Sequence, residues 1–318
     1  MVASGEPFGI AYLPGESIPF GQLEAGRWLA PYSERLIPGQ TDTYSLPCCR
    51  KPGSHETETG GLESYVEAVK KVIASCAARN GKTVFSREIT GATGEGVTAG
   101  NIFERLCDKF PDTFRYIFHI PGEGVWMGAT PEILLDVDLR TGAFSTMALA
   151  GTRVTPPTAG PWDEKNVIEH KYVSDFIAAT LRDAGVSFEE SPLTTLPYGR
   201  IEHLCRYFHG NLGEIPYPVV LDSLNPTPAL CGTPKEEAIA DITRCEPHDR
   251  GFYGGFVAVR TAERFVAYAN LRCLKLDGDR FSVYAGGGIT ALSDPCAEFA
   301  ETEAKAAPRL ELLHRKPS

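Results

Sequence analysis

Three charged residues near the end of the chain have the spacing of one helix face. Glu298, Glu301 and Lys305 follow one another at intervals of three and four, so a helix would project all three side chains from one side. Two such carboxylates are hard oxygen ligands that suit a cation such as Mg²⁺, and the lysine could bind an anionic substrate. The same spacing is also typical of an exposed ladder of ion pairs, so the spacing leaves both interpretations open.

Three further charged residues stand where apolar neighbours are expected to bury them. Glu169 shares a helical stripe with Val173, and a carboxylate buried there needs an ion pair, a proton or a metal. Lys82 opens a strand rich in Thr, Val and Phe, where partial burial makes a lysine usable as a general base. Glu132 precedes the apolar run at 133–135, where it could stay protonated and act as a general acid. Each also fits a structural role, Glu169 at a helix edge and Lys82 in a turn.

Two glycine motifs resemble nucleotide-binding sequences but fail the spacing test. Gly81, Lys82 and Thr83 would need a glycine at the position of Cys76, and here a helix leads into a strand, which is the wrong order. The triple glycine at 286–288 follows a predicted strand, but the third glycine of a dinucleotide fingerprint is missing. We expect this glycine run to open a loop that brings the backbone close to a ligand.

Composition and charge are those of a folded globular protein. The chain has 318 residues, of which 42% are hydrophobic and 23% charged, which argues against disorder. A formal net charge of −10 repels phosphate backbones and anionic membranes, so neither nucleic acid nor a membrane is an expected partner. The first residues show no basic patch followed by an apolar run, and the nine cysteines have no paired spacing. We therefore expect a reducing, cytoplasmic location.

Hydrophobic periodicity predicts both helices and strands. Helices are predicted from Leu62 to a stop at Gly81, at about 102–110, 164–184 and 235–244, and after Asp294 as N-cap. Strands are predicted at 83–89, 114–120, 124–139 with a break at Pro131, 144–150, 254–260, 264–276 and 280–285. Pro308 is expected to kink or divide the last helix. Because strands and helices mix without regular alternation, the pattern favours an α+β fold over a doubly wound sheet.

The sequence pattern changes at residue 62. Residues 1–61 are rich in Pro and Gly, and the absence of periodicity at 47–61 predicts a flexible loop there. We expect a short N-terminal part, residues 1–61, that packs on a main domain formed by residues 62–318.

Ten sequence blocks, in one order along the chain, together resemble the chorismate-utilising enzymes. The blocks are GKTVFSR (81–87), GATPEILL (128–135), LAGTR (149–153), EHKYV (169–173), EHL (202–204), NPTPALCG (225–232), YGG (253–255), NLR (270–272), AGGGI (285–289) and SDPCAEFAETEAK (293–305). This family includes anthranilate, aminodeoxychorismate, salicylate and isochorismate synthases, and the chain is most similar to the isochorismate synthases. Lys82 supports that choice, because the ammonia-using members lack a lysine there. Asn225 departs from the histidine usual at its position.

The resemblance implies a fold and a set of roles. The fold is an α/β domain in which two mixed sheets form a sandwich with helices outside and the active site between the layers. Lys82 would activate water, Glu132 would protonate the leaving C4 hydroxyl of chorismate, and Glu169 and Glu301 would hold Mg²⁺ with Glu298 nearby. The residues implied to contact chorismate are Gly151, Thr152, His203, Ala229, Tyr253, Arg272, Gly287, Gly288 and Lys305.

Within the family, three other functions remain possible at this point. A salicylate synthase would share the base, acid and metal but would go on to eliminate pyruvate. An aminating anthranilate or aminodeoxychorismate synthase component would need a glutaminase subunit, which Lys82 argues against. The third is a non-catalytic protein that only binds chorismate. For an isochorismate synthase, the resemblance implies a role in menaquinone or siderophore biosynthesis and a monomer or weak homo-oligomer.

Overall fold

Six helices and fifteen strands make up the part of the chain that this computed structural model describes, residues 8–16, 22–29, 61–155, 160–199 and 201–314. The helices are α1 (Leu62–Arg79), α2 (Ala99–Lys109), α3 (Glu164–Asp183), α4 (Tyr217–Leu224), α5 (Lys235–Cys245) and α6 (Pro295–Leu310). The strands are β1 (Phe8–Tyr12), β2 (Gln22–Gly26), β3 (Lys82–Ala92), β4 (Phe114–Ile120), β5 (Gly124–Thr130), β6 (Ile133–Asp138), β7 (Ala143–Val154), β8 (Ser187–Glu190), β9 (Thr194–Tyr198), β10 (Ile201–Asn211), β11 (Gly232–Thr233), β12 (Phe256–Arg260), β13 (Arg264–Ala269), β14 (Cys273–Asp277) and β15 (Arg280–Ile289).

The strands form two sheets. One has the order β1-β4-β5-β14-β15-β3-β11, and the other has the order β2-β12-β13-β6-β7-β10-β8, with β9 paired to β10. The strand pairs of the described residues are antiparallel, although mixed sheets were expected. Strands that follow each other directly, such as β14 and β15, are joined by connections too short for a parallel crossover. The predicted α/β sandwich is otherwise confirmed.

A buried cluster rich in aromatic side chains holds the two sheets face to face. Phe114 and Trp126 of the first sheet share one buried cluster with Val257 and Tyr268 of the second. The rings of Phe114 and Tyr268 stack at 4.2 Å between centroids, with an interplanar angle of 4°. Because side chains alternate along a strand, the other face of each sheet is left for helices.

Helices cover the two outer faces. Helix α2 and the end of α6 pack on the seven-stranded sheet, and α3 and α4 pack on the other sheet. Among the described residues, none of these helices combines the length and the apolar composition that a membrane crossing needs.

The first two strands extend both sheets at an edge. Strand β1 pairs with β4, and β2 pairs with β12, so residues from before position 62 contribute to each sheet. The predicted flexible loop at 47–61 lies outside the described residues except for its last residue.

Most of the predicted helices are confirmed within a few residues, but their ends differ in detail. Asn80 takes the left-handed conformation that ends α1, with φ of 51°, one residue before the expected glycine. The Asp294 side chain accepts from the Ala297 N–H as expected of an N-cap. Pro308 lies inside α6, two residues before its end, and does not divide it. Strands β1, β2 and β8 to β11 and helix α4 had no sequence prediction.

The prediction of one strand at 264–276 is wrong, because the chain changes sheets in the middle of it. Strand β13 belongs to the eight-stranded sheet and β14 to the other, with residues 270–272 between them. Asn270 is fully buried at this crossing, where it accepts from the Tyr116 hydroxyl and donates to the Phe252 carbonyl. Because residues 264–276 are a continuous run of strand-forming residues, their hydrophobic pattern does not reveal such a crossing.

The triple glycine is strand and not the expected loop. Gly286 to Gly288 form the end of β15 and pair with Ser86 to Val84 of β3. A Cβ atom on Gly288 would lie 2.0 Å from Glu169 Oε1 and 2.6 Å from Lys82 Cε. The glycines therefore leave room for charged side chains that pack directly on the backbone of the strand. Their role is to allow this close approach and not to form a turn.

We expect Gly288→Ala to lower the free energy of unfolding by about 1–3 kcal/mol, because overpacking a filled site forces its neighbours to move. Urea denaturation measures this difference. Gly160→Ala is the control, since a Cβ at Gly160 meets nothing within 4 Å. If both variants were as stable as the original chain, the close packing at Gly288 would be disproved.

Candidate active site

A cavity lined by both sheets brings together most of the residues that the sequence predicts for the site. Twelve of the predicted residues line this inner cavity: Lys82, Glu132, Gly151, Thr152, Glu169, His203, Ala229, Tyr253, Arg272, Gly287, Gly288 and Lys305. The other two, Glu298 and Glu301, line an outer cavity that shares Thr152 with the inner one. Chain segments more than 200 residues apart in sequence therefore meet at one place.

Lys82 is buried at the start of β3. Its side chain is 1% exposed, and Nζ lies 3.0 Å from Glu169 Oε1 of helix α3. A surface turn lysine, the structural alternative for this residue, is therefore excluded. The ion pair with Glu169 therefore orients the Lys82 amine inside the cavity.

Glu132 lies where the chain passes from one sheet to the other between β5 and β6. Burial raises the pKa of its carboxyl to about 8, against the opposing charges of Lys82, Arg272 and Lys305. A carboxyl group with this pKa holds its proton at neutral pH and can donate it. The Glu132 carbonyl also accepts from the Ala269 N–H at 2.9 Å, which joins this crossing to the one that ends at Arg272.

His203 is a neutral hydrogen-bonding centre in the cavity wall. Burial lowers its pKa well below the ordinary value, and the charges of Arg272 and Lys305 act in the same direction. Arg272 Nη2 lies 3.0 Å from Nε2 and has only protons to donate, so the proton of the ring belongs on Nδ1. Nδ1 lies 3.2 Å from the Gly151 carbonyl and 3.0 Å from Thr152 Oγ1. His203 thus fixes Arg272 and the 151–152 backbone relative to each other.

Helix α3 positions the same backbone from the other side. Asn166 Oδ1 accepts from the Thr152 N–H at 2.8 Å, and Asn166 Nδ2 donates to Asp163, the N-cap of the helix. The Asn166 contact was not predicted from the sequence.

Lys165 joins two of the predicted metal ligands. Its Nζ lies 3.0 Å from Glu169 Oε2 and 3.0 Å from Glu298 Oε1. Although burial opposes it, the ammonium groups of Lys165 and Lys82 lower the pKa of Glu169 well below its ordinary range. Lys165 was not predicted from the sequence, but its i,i+4 spacing to Glu169 is a signal that could have found it.

Glu298 and Glu301 complete the charged wall. Burial raises the pKa of Glu298 to about 7, with Lys165 opposing and Glu301 adding to the shift. Glu298 Oε1 accepts from Ser293 Oγ at 2.7 Å, whereas its buried Oε2 has no partner among the described residues. Glu301 Oε1 lies 2.6 Å from Lys305 Nζ, which also donates to the Gly286 carbonyl at 2.8 Å.

The loop that carries Ala229 is held by a buried arginine. Arg250 donates to the Leu230 carbonyl at 2.8 Å and to the Val84 carbonyl at 2.7 Å, while its guanidinium pairs with Glu246. This anchors the loop to β3, two residues from Lys82. Arg250 was not predicted from the sequence, because its partners come from three separate segments.

The three carboxylates provide the oxygen ligands that a hard cation prefers. Glu169, Glu298 and Glu301 supply only oxygen, and the orphaned Glu298 Oε2 would lie 2.9 Å from a Cβ on Gly287, so the missing side chain leaves space beside it. However, no three acidic, His or Cys side chains in the described part of the chain form a ready metal site. The ammonium of Lys165 lies between Glu169 and Glu298 instead.

Comparison with known proteins identifies the family of the chain. Residues 39–314 match the model of a family described as chorismate binding enzyme. The isochorismate synthase EntC of Escherichia coli (strain K12) is 33% identical over 248 residues, which are 73% of this chain and 62% of that relative. Anthranilate synthase component 1 of Streptomyces coelicolor is 30% identical over 231 residues, 68% of this chain and 44% of that relative.

The fold also matches a solved structure. The menaquinone-specific isochorismate synthase MenF from Escherichia coli superposes with a TM-score of 0.74 at 25% identity, covering 86% of this chain and 66% of that chain. The chain thus spans about three fifths to two thirds of the length of the isochorismate synthases compared here. With the family model matched over most of the sequence, the chain belongs to the chorismate-binding enzymes.

Proposed function

We propose that this protein is an isochorismate synthase, which converts chorismate to isochorismate by adding water at C2 with loss of the C4 hydroxyl. The observation that carries the proposal is that a buried lysine, Lys82, and a proton-holding acid, Glu132, line the same cavity. The reaction needs one group that takes a proton and another that gives one. The similarity to isochorismate synthase EntC supports the same conclusion.

The proposed role of Glu132 is to help the hydroxyl leave. Hydroxide is a poor leaving group, so the proton of the Glu132 carboxyl passes to the C4 oxygen as the C4–O bond breaks and water departs. A raised pKa suits this task because the acid is still protonated at neutral pH.

The proposed role of Lys82 is to activate the incoming water. In its neutral form the amine takes a proton from water while the oxygen bonds to C2, and both ring double bonds shift by one position so that the C4–O bond breaks. Glu169, at 3.0 Å, accepts a hydrogen bond from the amine and holds it in place. One water enters and one leaves, so the atoms balance.

The substrate carries two carboxylates, and the cavity offers separate cations for them. Arg272 and Lys305 line the cavity and would bind one carboxylate together with Tyr253. Mg²⁺, held by Glu169 and Glu301 with Glu298 nearby, would supply positive charge to the ring carboxylate. An acidic protein can bind a dianion in this way because the local charge, and not the net charge, acts on the ligand.

We expect Glu132→Gln to keep chorismate binding but to lower kcat by roughly 10² to 10⁴, because an amide cannot donate the proton. Since the protonated form acts, kcat/KM of the original enzyme should fall as the pH rises above about 8, and the residual activity of the variant should lack this fall. A pH–rate profile measures both. Glu263→Gln, at an exposed side chain, is the control. Normal turnover by Glu132→Gln would show that the acid is a different residue.

We expect Lys82→Met to abolish isochorismate formation, and Lys82→Arg not to restore it, because a guanidinium stays protonated. Met replaces the buried side chain at similar volume, and retained chorismate binding checks that the variant is folded. Chromatography of the products tests the rival activities as well, since salicylate or, with ammonia, anthranilate would indicate another member of the family. Isochorismate formed by Lys82→Met at a normal rate would contradict the water-activating role.

We expect turnover to require Mg²⁺, and Glu301→Gln to weaken Mg²⁺ and chorismate binding together by about tenfold or more, because one cation links protein and substrate. Calorimetric titration of each ligand measures this change. Glu303→Gln is the matched control, two residues along α6 with a side chain that is 51% exposed. Full turnover in excess chelator after dialysis would disprove the metal requirement.

A further inference from the structure

We propose that Lys165 is an internal cation that holds the metal-free site together, and that Mg²⁺ binding displaces its ammonium from between Glu169 and Glu298. Lys165 is then a positioning residue that acts through the two carboxylates. The inference rests on the proposed function only for the identity of the metal.

The geometry of Lys165 is that of a cation shared by two acids. Nζ lies 3.0 Å from an oxygen of Glu169 and 3.0 Å from an oxygen of Glu298, and these residues come from helices α3 and α6. The side chain is 16% exposed. A metal ion that bound both carboxylates would need the place that this ammonium occupies.

The other two lysines of the cluster are less free to move. Lys82 is 1% exposed and packs beside Gly288, and Lys305 is bonded to the Gly286 carbonyl as well as to Glu301. Lys165 lines the outer cavity, which has a volume of about 450 Å³, so its side chain has space to withdraw into. Lys165 is therefore the cation that can leave without disturbing the inner cavity.

The balance of charges in the cluster also favours movement of Lys165 when Mg²⁺ binds. Three carboxyl groups, Glu169, Glu298 and Glu301, are paired with three lysine ammonium groups in the metal-free protein. A divalent cation added to this set is repelled by the ammonium groups unless one of them moves away. Removing the charge of Lys165 should therefore strengthen Mg²⁺ binding while weakening the metal-free protein.

The test compares Lys165→Met with Lys165→Arg and with the control Lys171→Met, whose lysine lies on the same helix with an exposed ion pair to Asp175. Calorimetric titration with MgCl₂ in the absence of chorismate measures the affinity, and thermal unfolding with and without MgCl₂ measures the stability. Lys165→Met should bind Mg²⁺ at least tenfold more tightly. Its unfolding midpoint should be lower by about 3 °C or more without Mg²⁺ and close to that of the original chain at saturating Mg²⁺.

The variants separate charge from packing. Lys165→Arg keeps the positive charge, so its Mg²⁺ affinity should stay within about threefold of the original, and Lys171→Met should change neither quantity. If Lys165→Met does not fold, Lys165→Gln is used with the same expectations.

Several outcomes would overturn the inference. These are an unchanged or weaker Mg²⁺ affinity in Lys165→Met, an equal loss of midpoint with and without Mg²⁺, or no Mg²⁺ binding by any variant. The titrations contain no chorismate, so a failure to form isochorismate in a separate turnover assay would refute the proposed function alone.

Discussion

Burying charge between two apolar layers is the constraint on which this structure depends. Isolated charges in such a place are strongly unfavourable, whereas a paired and hydrogen-bonded set is tolerated. Lys82, Glu169, Lys165 and Glu298 form such a set, with each neighbouring pair 3.0 Å apart. Gly287 and Gly288 of strand β15 belong to the same constraint, because positions without a side chain leave space for these groups.

Two of the places where the chain crosses between sheets supply the remaining chemistry. Glu132 lies at the β5–β6 crossing and Arg272 at the β13–β14 crossing, and the Ala269 N–H bonds one crossing to the other. At a crossing the backbone leaves the sheet ladder, so a side chain there faces the space between the layers. This explains how a proton-holding acid and a buried cation come to line one cavity although 140 residues separate them.

Support for the cavity comes from a second set of polar residues, which join separate elements. His203 joins Arg272 to the 151–152 backbone, Asn166 holds Thr152 from helix α3, and Arg250 holds the loop of Ala229 against β3. Each of these residues ties a segment of one element to a different element. Such contacts fix the shape of the site before any ligand binds, which reduces the conformational cost of binding.

The sequence by itself determined five of the six described helices, most strands, the family and the residue types of the site. Those features depend on local period, on caps such as Asp294 and on blocks that stay in order. The tertiary structure alone decided that residues 264–276 divide between two sheets, that the triple glycine is a strand, and that Lys165 bridges Glu169 and Glu298. It also decided the raised pKa of Glu132 and the neutral state of His203. Local periodicity encodes which face of an element is buried, but ion pairs and pKa values depend on which distant segments that burial brings together.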